Sequence, residues 1–390
     1  MRIVVTGATG YVGSRLVTAL LANQHEVVAA SRNPERLKRL GWFDDVAPRT
    51  LDASDPVSLR AAFASAGPVD VVYYLVHGIG QPGFRDADKA AATNLAVVAR
   101  DAGVRRIVYL GGFVPADEAL SEHLTSRAEV AEALTVEDGP ELVWLGAAMI
   151  IGAGSTSFEM MRYVGDRFPL MPVPSWMDNP IDPISIRDVL RYLVAAADPG
   201  MVRAGAYDIS GPATTSYREL LKTYARLSGR WHATLPVERV DTALASLITG
   251  VALPVPQGLA EDLVESLDHP MVASVSGVRD RVPDPPGGLL CVDDAIALAL
   301  AGGSNRRPKP VNALTDPHQS PASGWCPQAD SDPAWAGGDA LHIRRLARAI
   351  TPPIARPTLR LVNVVPGPLA GMLRTGLDIL FTLTLKARAA

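Results

Sequence analysis

The sequence reads Thr6-Gly7-Ala8-Thr9-Gly10-Tyr11-Val12-Gly13 between an apolar run, Ile3–Val5, and a helical pattern over Ser14–Leu21. A glycine-rich turn between a strand and a helix is the context in which such a turn binds a dinucleotide. The first glycine permits a tight exit from the strand, the second lets backbone N–H groups approach a pyrophosphate, and the third allows close packing of helix on strand. The stretch therefore predicts a cofactor site formed by Gly7, Thr9, Gly10, Tyr11, Val12 and Gly13.

The end of the second predicted strand indicates which form of the cofactor is bound. That strand spans His25–Arg32, and it ends in Ser31 and Arg32 where an acidic residue would hydrogen-bond the ribose 2′-hydroxyl of NAD. A guanidinium beside a small hydroxyl fits a 2′-phosphate, whereas a carboxylate would repel it. We therefore predict a preference for NADP(H). The alternative is that Arg32 only lies at a solvated helix start.

Length and composition are those of a soluble protein of enzyme size. The chain has 390 residues and a formal net charge of −4, without a basic stripe interleaved with aromatic residues, so nucleic acid is not an expected partner. Cys291 and Cys326 lack the spacing of a zinc site or a disulfide framework, and the histidines show no metal-binding motif. We expect a cytoplasmic protein without a metal, whose first strand leaves no room for a signal peptide.

Strand and helix patterns alternate through the first part of the chain. They fall at Pro56–Ala64 (helix), Val69–Leu75 (strand), Asp86–Asp101 (helix), Arg106–Leu110 (strand), Ser126–Leu134 (helix) and Glu141–Leu145 (strand). This alternation predicts the α/β class, with a Rossmann-type doubly wound parallel sheet, a smaller and mostly helical C-terminal lobe, and a C-terminal tail. Asp52, just past the third strand signal, lies where such sheets contact the adenine, or it caps a helix.

Four segments together resemble the atypical extended short-chain dehydrogenases/reductases, a group with NmrA-like and epimerase-like members. They are the stretch at residues 6–13, Leu51-Asp52, Tyr74–Gly78 and Tyr109–Gly112, and the resemblance covers about residues 1–215. It implies that the cofactor lies across the carboxyl ends of the first, fourth and fifth strands. Val76, His77 and Gly111 would then lie beside the nicotinamide, and the substrate would contact segments after residue 145.

One departure from this family concerns the proton donor. Mainstream members carry Tyr-x-x-x-Lys on the helix after the fifth strand, where this chain has His123-Leu124-Thr125-Ser126-Arg127. A histidine exchanges protons near neutral pH, and an arginine binds ribose hydroxyls or lowers a neighbouring pKa. His77, at a strand end, is the second candidate. We predict proton transfer by His77 or His123 with support from Arg127; alternatively, all three are ordinary polar residues at element ends.

The chain divides by composition into four parts: 1–230, an NADP-binding Rossmann domain with insertions that contact substrate; 231–300, a small helical substrate lobe; 301–340, a Pro/Gly-rich docking segment; and 341–390, C-terminal amphipathic helices. Trp325 and Trp335 predict that the third part packs on a folded surface.

The last part contains an amphipathic pattern over Pro368–Lys386. Arg374 and Asp378 make it too polar for a confident transmembrane span. Interdomain packing or contact with a partner, either a second copy of the chain or another protein, is the first interpretation of this segment, and peripheral membrane contact through residues 341–390 is the second.

These features predict an NADP(H)-dependent oxidoreductase that acts on a carbonyl or an activated double bond of an apolar small molecule. The absence of the Tyr-Lys pair favours the alternative, an NADPH-binding regulator or structural subunit without turnover. An epimerase or dehydratase that uses the cofactor transiently also stays open.

Overall fold

The computed structural model describes residues 1–302 apart from 79–80, 115–120, 169, 230–232, 237–252, 257, 260–265 and 276, together with residues 335, 336, 376 and 380. The predicted docking segment, apart from Trp335 and Ala336, and the predicted C-terminal helix, apart from residues 376 and 380, therefore lie outside the described residues. Among the residues that are described, no helix has the length and apolar character needed to cross a membrane.

The strands are β1 Arg2–Val5, β2 Glu26–Ser31, β3 Ala47–Thr50, β4 Val71–Tyr74, β5 Arg106–Gly112, β6 Glu141–Ala147, β7 Ile150–Ile151, β8 Leu170–Val173, β9 Pro180–Ile181, β10 Ile184–Ser185, β11 Gly205–Ile209, β12 Thr215–Ser216 and β13 Ala233–Pro236. Seven of them form one parallel sheet in the order β11-β6-β5-β4-β1-β2-β3. The strand order reverses between β1 and β4, and ligands of open α/β sheets bind beyond the carboxyl ends at such a reversal.

The helices are α1 Tyr11–Ala22, α2 Pro56–Ala66, α3 Phe84–Asp101, α4 Glu122–Ala133, α5 Thr156–Arg167, α6 Ile186–Ala196, α7 Tyr217–Ser228, α8 Val278–Arg281 and α9 Val292–Gly302. Leu16 of α1 and Leu193 of α6 are buried on one face of the sheet, whereas Leu95 of α3 and Val130 of α4 are buried on the other. Because both faces are covered, a central strand such as Ile3–Val5 is apolar throughout and at most 2% exposed. The predicted doubly wound sheet is confirmed.

The start of α4 differs from the sequence prediction in a way that affects the candidate site. The helix begins at Glu122 rather than near Ser126. The Ser121 hydroxyl accepts the backbone N–H of Leu124 at 3.3 Å, which is the contact of an N-cap. This serine precedes the apolar periodicity on which the prediction rested. As a result, His123 lies in the first turn of α4, one turn before Arg127.

Described residues after position 230 pack on the Rossmann unit. Ile296 of α9 shares an apolar cluster with Leu220 of α7. Farther along the chain, the Tyr163 hydroxyl of α5 donates to the Trp335 carbonyl, the two rings have centroids 6.4 Å apart, and Ala336 is 2% exposed. Trp335 of the predicted docking segment therefore packs in cis on α5.

Candidate cofactor and proton-transfer site

The turn between β1 and α1 has room only for glycine at two positions. Gly7 has a φ of +67°, and a Cβ added there would lie 2.7 Å from the Leu75 carbonyl oxygen. A Cβ added to Gly13 would lie 2.3 Å from the Gly7 oxygen. The Gly10 N–H donates to the same oxygen at 2.8 Å, so the turn closes on itself. This compact backbone fits the close approach of a pyrophosphate.

The start of α1 supplies the donors for such a group. Gly10 occupies the N-cap position, and a glycine has no side chain with which to satisfy the first N–H groups of the helix. Those groups and the positive end of the helix dipole favour an anion. Thr9 and Tyr11 are half-buried and Val12 follows them, so the predicted contact residues surround one uncapped helix start.

Thr6 fixes the turn against the end of β4. Its Oγ1 donates to the Tyr73 carbonyl at 2.8 Å and accepts the Leu75 N–H at 3.2 Å. The exit of β1 and the exit of β4 are therefore held together at the point where the strand order reverses. The cofactor turn and the loop that follows β4 share one edge of the sheet.

Arg32 is exposed beyond the end of β2. The neighbouring Ser31 hydroxyl is engaged within the chain, since it accepts the Asn33 N–H at 3.2 Å and contacts the Asn33 carbonyl at the same distance. Asn33 in turn caps a short 3₁₀ helix by accepting the Glu35 N–H. The guanidinium of Arg32 is thus the accessible charged group at this position, and the Ser31 hydroxyl shapes the local turn.

Asp52 lies close enough to Arg32 for the guanidinium to affect its carboxylate. The pKa of Asp52 is lowered, chiefly by hydrogen bonds from Ser54 and to a smaller extent by the charge of Arg32. The Ser54 N–H and hydroxyl reach Oδ1 of Asp52 at 3.0 and 2.7 Å. Asp55, rather than Asp52, caps α2 by accepting the Val57 N–H at 2.9 Å. Asp52 therefore forms a polar turn beside the predicted adenine position.

The structure brings the three predicted proton-transfer residues together. His77 follows β4 by three residues, while His123 and Arg127 lie one turn apart on α4. The charge of Arg127 lowers the pKa of both histidines, and His77 further lowers that of His123. Groups that affect one another in this way are neighbours across the edge formed by β4, β5 and α4. Sequence spacing alone did not indicate that His77 and His123 would meet.

Both imidazoles are neutral at pH 7. Desolvation and then Arg127 lower the pKa of His77 to about 4, and desolvation, Arg127 and His77 lower that of His123 to about 3. His77 is nevertheless exposed to solvent. The sequence suggested proton exchange near neutral pH. The structure instead favours neutral imidazoles that donate a hydrogen bond through a ring N–H, a role that such rings fulfil in other enzymes.

Arg127 is held inside the protein by a residue that the sequence analysis missed. Its Nη2 lies 3.3 Å from Oδ2 of Asp88 on α3, and both side chains are 6% exposed. The Arg127 guanidinium is thus engaged with Asp88, and its charge lowers the pKa of both histidines. Asp88 follows Phe84 by one helical turn on the buried face of α3, and a carboxylate in an apolar stripe was the available signal.

An aromatic row forms the floor beneath this pair. Tyr74, Tyr109 and Trp144 lie in register on β4, β5 and β6, with successive ring centroids 6.1 and 6.3 Å apart. The Tyr109 hydroxyl donates to the Arg127 carbonyl at 3.4 Å. A Cβ added to Gly111 would lie 2.7 Å from Nε1 of Trp144, so Gly111 makes room for the indole. Val76 packs partly buried against the apolar cluster on this face.

The loop after β7 lies against the cofactor helix. A Cβ added to Gly152 would lie 2.1 Å from the Tyr11 hydroxyl oxygen. Arg15 stacks on the Tyr11 ring at 4.0 Å and donates to the Ala153 carbonyl at 3.2 Å. This loop, which the resemblance assigns to the substrate side, is thereby attached to the first turn of α1. Among the residues that the structure describes, no group of His, Cys, Asp and Glu side chains could hold a metal ion.

The N-terminal part of the chain matches a known protein family. Residues 7–137 match the family described as NAD(P)H-binding. This description covers both nicotinamide cofactors, and the matched residues contain the glycine turn, the end of β2 and all of α4.

Two curated proteins illustrate the range of relatives. The chain is 25% identical over 233 residues to a protein of Arabidopsis thaliana named NADH dehydrogenase [ubiquinone] 1 alpha subcomplex subunit 9, mitochondrial; the match covers 58% of each chain. It is also 25% identical over 285 residues to a (4-alkanoyl-5-oxo-2,5-dihydrofuran-3-yl)methyl phosphate reductase of Streptomyces griseus, which covers 73% of this chain and 93% of the reductase. The chain thus spans less than two thirds of the Arabidopsis protein.

A solved structure shares the fold. The triphenylmethane reductase of Citrobacter sp., crystallised with NADP(H), superposes with a TM-score of 0.56 at 20% identity, over 76% of this chain and 99% of the reductase. At this identity, the likeness concerns the fold alone.

Proposed function

Since its residues 7–137 belong to a family of NAD(P)H-binding Rossmann proteins, we propose that this protein is an NADP(H)-dependent oxidoreductase of the atypical short-chain type. Its substrate is an apolar small molecule with a carbonyl group or an activated double bond. The observation that carries the proposal is the meeting of His77, His123 and Arg127 at the sheet edge that also carries the glycine turn. A site that only bound nucleotide would not need neutral imidazoles at this place.

The preference for NADP(H) rests on Arg32. Its guanidinium is exposed beyond the end of β2, where a 2′-phosphate would lie if the cofactor follows the glycine turn. Asp52 is close by, but its carboxylate is engaged by Ser54. Arg32 can therefore donate a charge-assisted hydrogen bond to the phosphate, and the end of β2 carries no carboxylate that would repel it.

The start of α1, the glycine turn and the histidines have separate roles in this proposal. Bound NADPH supplies a hydride from its nicotinamide ring. The start of α1 holds the pyrophosphate, and the turn at Gly7 and Gly13 fixes its distance from β1. His77, the accessible imidazole, would donate a hydrogen bond from its neutral ring N–H to the substrate oxygen as the carbon accepts the hydride, and the proton that completes the reduction would come from water. For an activated double bond this proton goes to the carbon beside the activating group. His123, the neighbour of His77 on α4, would provide a second neutral ring N–H as a hydrogen-bond donor.

One of the comparisons supports a reductase. The Streptomyces relative is named as a reductase and is covered over 93% of its length. The chemical groups named for its substrate belong to that protein, and the proposal for this chain is limited to the class of reaction.

The experiment is NADPH oxidation by the purified full chain with a panel of apolar aldehydes, ketones, enones and quinones. The proposal expects turnover with at least one of them, and it expects His77→Gln to slow that turnover while NADPH binding is kept. Turnover that is unchanged in both His77→Gln and His123→Gln would contradict the assigned roles.

A second candidate is a nucleotide-binding subunit or regulator without turnover. The observation that favours it is the Arabidopsis relative, which is named as a subunit of a larger complex. In this case residues 341–390 would provide the contact with a partner, a second copy of the chain, or a membrane surface. Tight NADPH binding, no turnover with any substrate, and a stable complex in light scattering would support this candidate. A cytoplasmic location is part of both proposals, in keeping with the cysteine usage.

A further inference from the structure

Asp88 contacts two separate parts of the candidate site. Its Oδ2 lies 3.3 Å from Nη2 of Arg127 on α4, and its carboxylate also accepts the backbone N–H of Gly78, the residue that follows His77. The side chains of Asp88 and Arg127 are both 6% exposed. One buried carboxylate thus connects the loop that carries His77 with the helix that carries His123.

Because both side chains are buried, the loss of either one is costly. Desolvation raises the pKa of Asp88, while the Gly78 N–H and the charge of Arg127 act in the opposite direction and favour the carboxylate. A buried charge whose partner is removed is left uncompensated, which is far more costly than the loss of an exposed ion pair. Neither Asp88 nor Arg127 can therefore change position alone.

We infer that Asp88 is the positioning residue of this site, because it holds the His77 loop and the Arg127 guanidinium against the two imidazoles. Tyr74 from β4 and Tyr109 from β5 are the other titratable groups that interact with the Asp88–Arg127 pair. The role of the imidazoles rests on the proposed function. The arrangement that Asp88 maintains can be measured without a substrate.

A second ion pair between the same two helices provides a matched control. Arg85 of α3 and Glu129 of α4 form two hydrogen bonds of 2.7 Å, with side chains that are 40% and 23% exposed. Glu129→Gln removes a carboxylate from this helix pair, as Asp88→Asn does. It leaves Gly78 and Arg127 untouched.

The test is an NMR titration of the imidazoles of His77 and His123 in the full chain, with signals assigned from His77→Gln and His123→Gln. In Asp88→Asn the amide no longer holds the guanidinium beside the imidazoles. We expect the pKa of both to rise by about one unit or more, as in Arg127→Gln. Glu129→Gln should titrate like the native protein. Native-like titration of Asp88→Asn, or an equal shift in Glu129→Gln, would overturn the inference.

A double variant keeps the inference testable if Asp88→Asn fails to fold. Asp88→Asn combined with Arg127→Gln has no uncompensated buried charge, so we expect it to fold. If Asp88 acts through Arg127, the double variant should titrate like Arg127→Gln alone. A further shift in the double variant would show that Asp88 acts by another route and would contradict the inference.

Activity separates this inference from the proposed function. Where a substrate is found, Asp88→Asn should lower kcat about tenfold or more and change the KM for NADPH less than twofold, whereas Glu129→Gln should leave both within twofold. If no substrate is turned over, the proposed function fails while the titration still decides the role of Asp88. If kcat is unchanged in Asp88→Asn although the pKa values of the two histidines have shifted, Asp88 does not position groups for catalysis. This result would overturn the inference.

Discussion

The cofactor turn and the histidine cluster lie on the same edge of the sheet but are built in different ways. The turn at residues 6–13 is made of backbone from one continuous stretch, with Gly7 and Gly13 required by contacts of 2.7 and 2.3 Å. The cluster is made of side chains from the loop after β4, from α3 and from α4. A backbone site is therefore specified locally, whereas the cluster exists only once three distant segments have packed.

The largest effect is expected at the turn. Gly13→Ala would place a Cβ 2.3 Å from the Gly7 oxygen and must displace α1 from β1. We expect the dissociation constant of NADPH to rise about 100-fold, which corresponds to about 2.8 kcal/mol. Gly200→Ala is the control, because Gly200 is exposed after α6 and the atoms nearest to an added Cβ belong to the Asp198 side chain. A fluorescence titration that gave equal losses in both variants would contradict the steric argument.

The next effect sharpens the comparison at the cluster. His77→Gln should reduce turnover about 100-fold, the contribution expected of a positioned hydrogen-bond donor to the developing oxyanion. Its dissociation constant for NADPH should stay within twofold of the native value. The two measurements together distinguish the histidine cluster from the cofactor turn. Gly13→Ala should have the opposite pattern, with a larger loss of NADPH binding than of turnover. Loss of NADPH binding in His77→Gln would mean that the two regions are not independent.

The turn and the sheet were predictable from the sequence because local patterns specify both of them. Three glycines at fixed spacing after Ile3–Val5 predict the geometry of the turn, and the alternating apolar segments predict the sheet. The cluster was only partly predictable. The spacing indicated His123 and Arg127, but Asp88 acts through a contact across 39 residues that no local pattern records. The pKa of each histidine likewise depends on burial and on Arg127, which are properties of packing.

A smaller effect concerns the form of the cofactor. Arg32→Ala removes the exposed guanidinium at the end of β2 and should weaken NADPH binding about tenfold, the size of one charge-assisted hydrogen bond. NADH binding should not change, because NADH has no 2′-phosphate. Arg60→Ala, an exposed arginine on α2, serves as the control. If NADPH and NADH lose affinity equally in Arg32→Ala, this residue does not read the phosphate.

The smallest effect is a dependence of stability on pH. His123 has a pKa of about 3 in the folded protein and about 6.5 when unfolded, so the unfolded chain binds more protons below pH 6.5. The stability that this difference represents is complete above pH 6.5 and is lost progressively as the pH falls towards 3. His123→Asn should therefore lose less Tm than the native protein between pH 7.5 and pH 5. Parallel Tm profiles for the two proteins would count against a half-buried His123 that stays neutral in the folded protein.

We propose that the turn at residues 6–13 forms an NADP(H) site and that Arg32 makes this site prefer the cofactor with a 2′-phosphate. The most direct test of this proposal is the thermal shift of the native full chain with NADPH, NADP, NADH and NAD at equal concentrations. A ligand that binds only the folded state raises Tm, and at equal concentrations the rise is larger for the ligand that binds more tightly. The account predicts the largest shift with NADPH and a smaller one with NADH. No shift with any of the four nucleotides would contradict it.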